Sequence, residues 1–282
     1  NIIVTLPPDV QPLDENRKTI DASTLTETAP VIIKLPERAN SVGIVDGQHR
    51  VFAYHETASD DEDIAKLRVQ QNLLVTGIIY PTKLTQAERE KFEARLFLEI
   101  NSNQTNAKAP LKQAIGMVID PFSTDSIATR IVTGLAKQGP LTGLIQQYFW
   151  DTDRLKTASI VSYGLKPLVK TSGTDSLFYL WSHADKTKVS VGKDDAALKE
   201  YIAFCVTTIN TVLGAIKANL AAEKWTADKK VAGKVISTTY INSFLIVMRL
   251  LIERGSPLTF DSLKKRFVGL DSFAFSTYRS SQ

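Results

Sequence analysis

One cysteine, Cys205, in 282 residues excludes an internal disulfide framework. With only three histidines beside it, the chain also has no residue set for a zinc site or an iron–sulfur cluster. A reducing cytosol is the compartment that fits. Long hydrophobic runs are missing too. The longest, Tyr240 to Ile252, is broken by Asn242, Ser243 and Arg249 and falls short of the roughly 20 residues needed to span a bilayer. It is expected as a buried core helix, and no membrane partner is expected. There is no internal repeat, heptad run or low-complexity segment. Nor is there an initiator methionine or a basic-then-apolar signal region, so a chain beginning at Asn1 in mid-strand is expected to be a fragment of a longer protein.

What is present is an ordinary globular composition, 43% hydrophobic and 23% charged, enough for a full core in one large or two small domains. The net charge of +4 is unevenly spread. Residues 1–105 hold 11 Lys and Arg against 16 Asp and Glu, a net −5, whereas residues 106–282 hold 23 against 14, a net +9. A basic second half is a physical reason to expect a polyanionic partner such as DNA.

The hydrophobic pattern changes at the same place. Strand-like runs at Ile2–Leu6, Val31–Leu35, Val42–Val45 and Leu73–Tyr80 are apolar, rich in β-branched residues and closed by breakers. Two helices interleave, one after Gly47 and one over residues 86–100, where Thr85 and Glu88 have the spacing of a capping box. After Asn106 helices dominate, with candidates at 109–120, 125–138, 141–149, 157–170, 195–223 and 232–254, while 171–174 and 185–193 read as loops. In the long segment Leu198, Ile202, Cys205, Ile209, Val212, Leu213, Ile216 and Leu220 form one apolar stripe, which is core packing. The expected class is α+β: a mixed module over 1–105, followed by a mainly helical module over 106–282 that could share its core.

One stretch concentrates chemistry. A short strand ends at Asp46-Gly47-Gln48-His49-Arg50, and the helix-compatible Val51-Phe52-Ala53-Tyr54 follows at once. A helix starting near Gln48 aims its free backbone N–H groups at whatever lies above the turn. Gly47 allows close backbone approach to an anion, and Arg50 can bind phosphate oxygens bidentately. Asp46 is a candidate ligand for Mg²⁺, which is usually held through one or two carboxylates plus substrate phosphates. His49 is a candidate phosphate donor or acid–base group. The plainer alternative is that Asp46 caps the helix, Gly47 serves the turn and the rest is a solvated first turn.

Ile44-Val45-Asp46-Gly47-Gln48-His49-Arg50 with its following aromatic and alanine, together with Phe97-Leu98-Glu99-Ile100-Asn101-Ser102-Asn103-Gln104, closely resembles the DGQHR-domain family. Its best-known members are the DndB proteins of DNA phosphorothioation systems and related proteins of DNA deazapurine modification. The resemblance covers residues 30–120, and Thr238 to Phe244 is similar to the family as well. It implies a fold akin to ParB nucleases and sulfiredoxin. In that wider group a corresponding turn with an arginine at the helix start binds nucleotide phosphates, and a sister DGQQR motif of restriction proteins is tied to nucleotide hydrolysis. Carried over by position, Asp46 and His49 are the expected catalytic residues, with Asp46 also the metal ligand. Gly47, Gln48, Arg50, Asn101, Asn103 and Gln104 are the expected nucleotide or phosphate ligands, for an NTP with Mg²⁺. Amide side chains suit that role because they both donate and accept; the alternative for Asn101 and Asn103 is helix C-capping.

Other residues carry less. Asp151 and Asp153 could pair at a metal or could belong to a loop with a helix cap. His55 lies six residues after His49, which is not a helical metal spacing. Arg154, Lys156, Lys166 and Lys170, and separately Lys264-Lys265-Arg266, are candidate DNA phosphate contacts or simply a solvated face. Three functions follow in order: a nucleotide-binding protein of a DNA-modification or phage-defence system, with NTP hydrolysis as its enzymatic form; a non-enzymatic DNA-binding transcriptional regulator; and a ParB-like nuclease. A homo-oligomer or defence-system partner proteins are compatible with the first.

Overall fold

A computed structural model describes residues 2–21, 30–54, 62–80, 83–104, 109–146, 154–228 and 230–275, with backbone alone for 101–104 and 109–110. The chain is mixed α and β and divides into two compact units, Asn1–Ala107 and Lys108–Gln282. Among the described residues no helix is long and apolar enough to cross a membrane.

The first unit is built on β1 (Ile2–Leu6), whose β-branched residues suit the centre of a sheet. It lies between β4 (Gly43–Asp46), antiparallel, and β5 (Val75–Ile79), parallel, in the order β4-β1-β5. A second ribbon pairs β2 (Gln11–Leu13) with β3 (Ile32–Lys34). The sequence pattern does not indicate β2, since Pro12 removes a ladder donor; on its other side the Pro12 carbonyl accepts from the Ile20 N–H and Leu13 bridges Thr19. Three helices complete the unit: α1 (Gln48–Ala53), α2 (Glu62–Gln70) and α3 (Gln86–Gln104). None of the α2 residues is buried.

The capping box expected at the start of α3 is formed. The Thr85 backbone N–H donates to Glu88 Oε2 at 2.8 Å, and the Glu88 N–H donates to Thr85 Oγ1 at 3.3 Å. The Thr85 N–H and the Thr85 hydroxyl, which both donate to Glu88 Oε2, hold the Glu88 carboxyl below its usual range. The helix then runs four residues past the expected stop at Ile100, through Gln104, and lies against β4.

The second unit holds α4 (Ala109–Ile119), α5 (Thr124–Lys137), α6 (Thr157–Ser159), α7 (Lys166–Val169), α8 (Leu177–Leu180), α9 (Asp195–Lys217), α10 (Thr238–Glu253) and α11 (Phe260–Arg266). Serines 123, 176 and 237 and Asp194 cap α5, α8, α10 and α9, each side chain accepting a backbone N–H of the first turn. The 157–170 segment is helical as expected, but between α6 and α7 it widens into a π-turn, Ile160–Leu165. Gly164 faces α10 there; a Cβ would sit 2.6 Å from Leu245 Cδ1 and 2.7 Å from Asn242 Oδ1, so a larger residue would have to displace the ends of these two side chains. Tyr240–Ile252 lies within α10 and buries Ile241, Phe244, Leu245, Met248, Leu251 and Ile252, as a core helix should.

Four expectations are corrected. Residues 141–146 of the expected 141–149 helix form turns, because Gly143 is left-handed (φ +71°) and Ile145 is drawn into a bridge with Leu155; 147–149 lie outside the described residues. The expected 195–223 helix stops at Lys217 and resumes only as a 3₁₀ turn at Ala222–Lys224. The helix placed at 232–254 starts at Thr238, since the Val235 and Ile236 N–H groups are held by the carbonyls of Lys224 and Thr226. The 185–193 loop contains a π-turn, Lys188–Gly192, that buries Val189, whereas 171–174 is the loop expected.

That loop is tied down by charge. Asp175 accepts from Arg249 of α10 and from Lys170 at 2.9 Å, and these hydrogen bonds hold its carboxyl down to about 2. Because the folded value lies below the unfolded one near 4, the contribution is complete above about pH 4 and lost as pH falls toward about 2. Asp175→Asn is expected to be about 1–3 kcal/mol less stable than wild type at pH 6. Urea unfolding at stepped pH should show this gap closing toward pH 2; a gap independent of pH contradicts the assignment.

Candidate functional site

The Asp46–Arg50 turn is shaped by the strand that leads into it. β4 pairs Ile44 with Val4 but Asp46 with Ile3, so one extra residue, Val45, bulges between them. Such a bulge re-aims the side chains that follow it. Asp46 thus ends the ladder half-buried, and Gly47 turns the chain at φ +89°, ψ 13°, in the left-handed region. Gly47 itself is the N-cap of α1, with no side-chain cap bond. Asp46 is therefore not the cap, which removes the plainer role considered for it.

The first intrahelical bonds run from the Arg50 and Val51 N–H groups to the Gly47 carbonyl, at 2.9 and 3.1 Å. The N–H groups of Gln48 and His49 stand ahead of them, at the end of the helix where backbone donors point outward. The side chains of Gln48, His49 and Arg50 are exposed, while Asp46 and Gly47 are half-buried. The far end of α1 is anchored: the Tyr54 carbonyl accepts from Arg68 of α2, and the Tyr54 hydroxyl donates to Gln71 Oε1 at 2.8 Å. A cation, an imidazole, an amide and a carboxylate thus occupy one turn whose two ends are fixed. For an NTP with Mg²⁺ the donor set is chemically suitable, with backbone N–H groups and a guanidinium for phosphate and a carboxylate for the cation. Among the described residues no group of three or more His, Cys, Asp or Glu side chains gathers as a metal cage.

Asn101, Asn103 and Gln104 occupy the final turn of α3. Asn101 and Asn103 lie within the described part of α3, and residues 105–108 beyond it are outside the described residues. The helix packs on β4, the strand that carries Asp46. The side chains of 101–104 are outside the described residues, as are His55, Asp151 and Asp153.

The basic candidates divide. Arg154 and Lys156 are exposed, whereas Lys166 pairs with Asp125 at 2.8 Å and Lys170 with Asp175 at 2.9 Å. The latter two already have carboxylate partners, which reduces the positive field they offer a polyanion. Lys264, Lys265 and Arg266 are exposed on the last turn of α11, where cations complement the helix dipole. Cys205 is wholly buried in α9, and burial pushes its thiol far up, which makes it an inert core residue.

Two features went unread in the sequence. His183 stacks on Trp181, with ring centroids 4.8 Å apart. Its Nδ1 accepts the Asp185 N–H at 3.1 Å, so Nε2 carries the proton and donates to Glu200 Oε2 at 2.7 Å. The second is a cleft between α4, α5 and α6. Only adjacency within a turn is visible in a single sequence; a pairing such as His183 with Glu200 leaves no local signal.

Comparison of the chain with protein-family models, with curated proteins and with solved structures finds no match.

The left-handed corner has a direct consequence. Gly47→Ala places a Cβ in the left-handed region and is expected to cost about 1–2 kcal/mol. Gly116→Ala, in the interior of α4 with nothing within 4 Å of the new Cβ, is expected to gain about 0.5–1 kcal/mol. Urea unfolding followed by circular dichroism checks both signs.

Proposed function

We propose that the Asp46–Arg50 turn binds a nucleotide through its phosphates, and that the chain is a DGQHR-domain protein of a DNA-modification or phage-defence system. The observation that carries this reading is the left-handed Gly47 between a bulged strand end and the first turn of α1, with Gln48, His49 and Arg50 exposed together. In it, the Gly47–Gln48 backbone meets the phosphate, Arg50 binds its oxygens, and Asn101, Asn103 and Gln104 supply amides from the last turn of α3. Asp46 would hold Mg²⁺, and Asp46 and His49 are the residues that an NTP-hydrolysing form would use. The first unit, with its central β1 flanked by one antiparallel and one parallel strand, is read as ParB/sulfiredoxin-like.

Titration calorimetry of the full chain with ATP, GTP and CTP in Mg²⁺ tests the reading. Wild type is expected to bind at least one of them, and Arg50→Ala to weaken that binding about tenfold or more, as loss of a charge-assisted pair does. No binding by wild type to any of the three contradicts it.

A non-enzymatic DNA-binding regulator is the second reading, favoured by the +9 charge of residues 106–282 and by the exposed Arg154 and Lys156. Here a mobility shift whose affinity falls steeply with salt is expected. Absence of any shift at low salt removes it.

A further inference from the structure

A cleft of about 310 Å³ opens between α4, α5 and the start of α6, wholly inside the helical unit. Its floor is aliphatic: Val132 and Ala136 of α5, and Ile145, each almost fully buried. Its walls are polar and almost uncharged. Gln113 comes from α4, Thr129 and Thr133 from α5, Gln146 from the bridge beside Leu155, and Thr157 from α6; among the described lining residues Lys137 is the single cation and there is no carboxylate.

The hydrogen bonds already made set the polarity of one wall. Thr129 Oγ1 donates to the Asp125 carbonyl at 2.8 Å, and Thr133 Oγ1 donates to the Thr129 carbonyl at 2.9 Å. Both hydroxyls have spent their proton inside α5, so what they can offer the cleft is lone pairs. The glutamine side chains both donate and accept, and Lys137 donates only. A suitable ligand therefore presents N–H donors toward α5, mixed donors and acceptors toward the amides, and an apolar face to the floor.

Other ligand classes fit less well. Among the described residues a polyanion finds one cation, and a cationic amine finds no carboxylate. A purely hydrocarbon ligand would cover the Gln113 amide and the remaining threonine lone pairs without pairing them, at a cost. The volume lies at the lower end of small-molecule clefts, about 300–1,000 Å³, which suits one compact ligand. A flat heterocycle with amide-like edges meets every condition.

We infer that this cleft is a nucleoside site, with the base on the Val132, Ala136 and Ile145 floor and Lys137 able to accommodate one monophosphate. It is independent of the Asp46–Arg50 turn, and a nucleoside without phosphate separates the two. Calorimetry of the full chain with adenosine, guanosine, cytidine and uridine is expected to show saturable one-to-one binding of at least one. Ala114→Trp adds a large side chain at an exposed lining position of α4 and should weaken that binding about tenfold or more. Gln113→Ala, which removes polar contacts without adding bulk, should weaken it about 3–10-fold. Arg50→Ala should leave it unchanged. A monophosphate should bind more tightly than its nucleoside, and Lys137→Ala should abolish that difference. The site is overturned if no nucleoside binds, if binding survives both α4 substitutions unweakened, or if Arg50→Ala removes it. A monophosphate advantage that persists in Lys137→Ala overturns the role given to Lys137.

Discussion

Burial of the apolar face of α9 is the constraint on which the helical unit depends. Its buried residues run from Ala197 to Ile216, and α5, α11 and the Lys188–Gly192 turn all lie against it. Close approach at the α5 crossing requires Gly134, where a Cβ would stand 2.8 Å from Val206 Cγ2. The Tyr201 hydroxyl, deep among Phe178 and Trp181, donates to the Val169 carbonyl at 2.9 Å. Each large aliphatic side chain so buried contributes about 1.5–3 kcal/mol, which dominates the surface ion pairs around it. The same burial silences chemistry. Desolvation raises both the Cys205 thiol and the Tyr201 hydroxyl out of the physiological range, so neither acts as a nucleophile or acid.

Function therefore belongs where burial is incomplete. In the first unit the buried apolar set is small, chiefly Ile2, Val4, Val10, Leu13 and Tyr80, and the sheet serves mainly to hold one corner in place. The β1–β4 ladder fixes Asp46, the bulge at Val45 changes its direction, Gly47 reverses the chain, and Arg68 and Gln71 secure the end of α1. Each of these is a backbone or near-backbone constraint. That is the kind of support an anion-binding turn needs, because its donors are main-chain N–H groups whose direction is set by φ and ψ.

The strands and long helices were legible because each carries its own period: alternating or β-branched runs in β1, β4 and β5, and the 3.6-residue stripe in α9 and α10. The Thr85–Glu88 capping box was readable from spacing alone. What escaped were elements governed by tertiary context. β2 contains Pro12, α2 has no apolar face, and the 141–149 pattern yielded to a left-handed Gly143 and a bridge to Leu155. At the candidate site, the contiguous Asp46–Arg50 turn was visible as one unit. The engagement of Lys166 by Asp125 and of Lys170 by Asp175 was not, since pairing of exposed charges depends on packing that a single sequence does not state.

In the proposed function the backbone of one turn receives phosphate. Titration of ATP with Mg²⁺ into the uniformly ¹⁵N-labelled full chain reads those groups directly. Saturable shifts of the Gly47, Gln48, His49 and Arg50 amide resonances are expected, with the same midpoint for all four. Resonances of this turn that stay fixed at saturating ATP, in a chain whose spectrum is otherwise that of a folded protein, would contradict it.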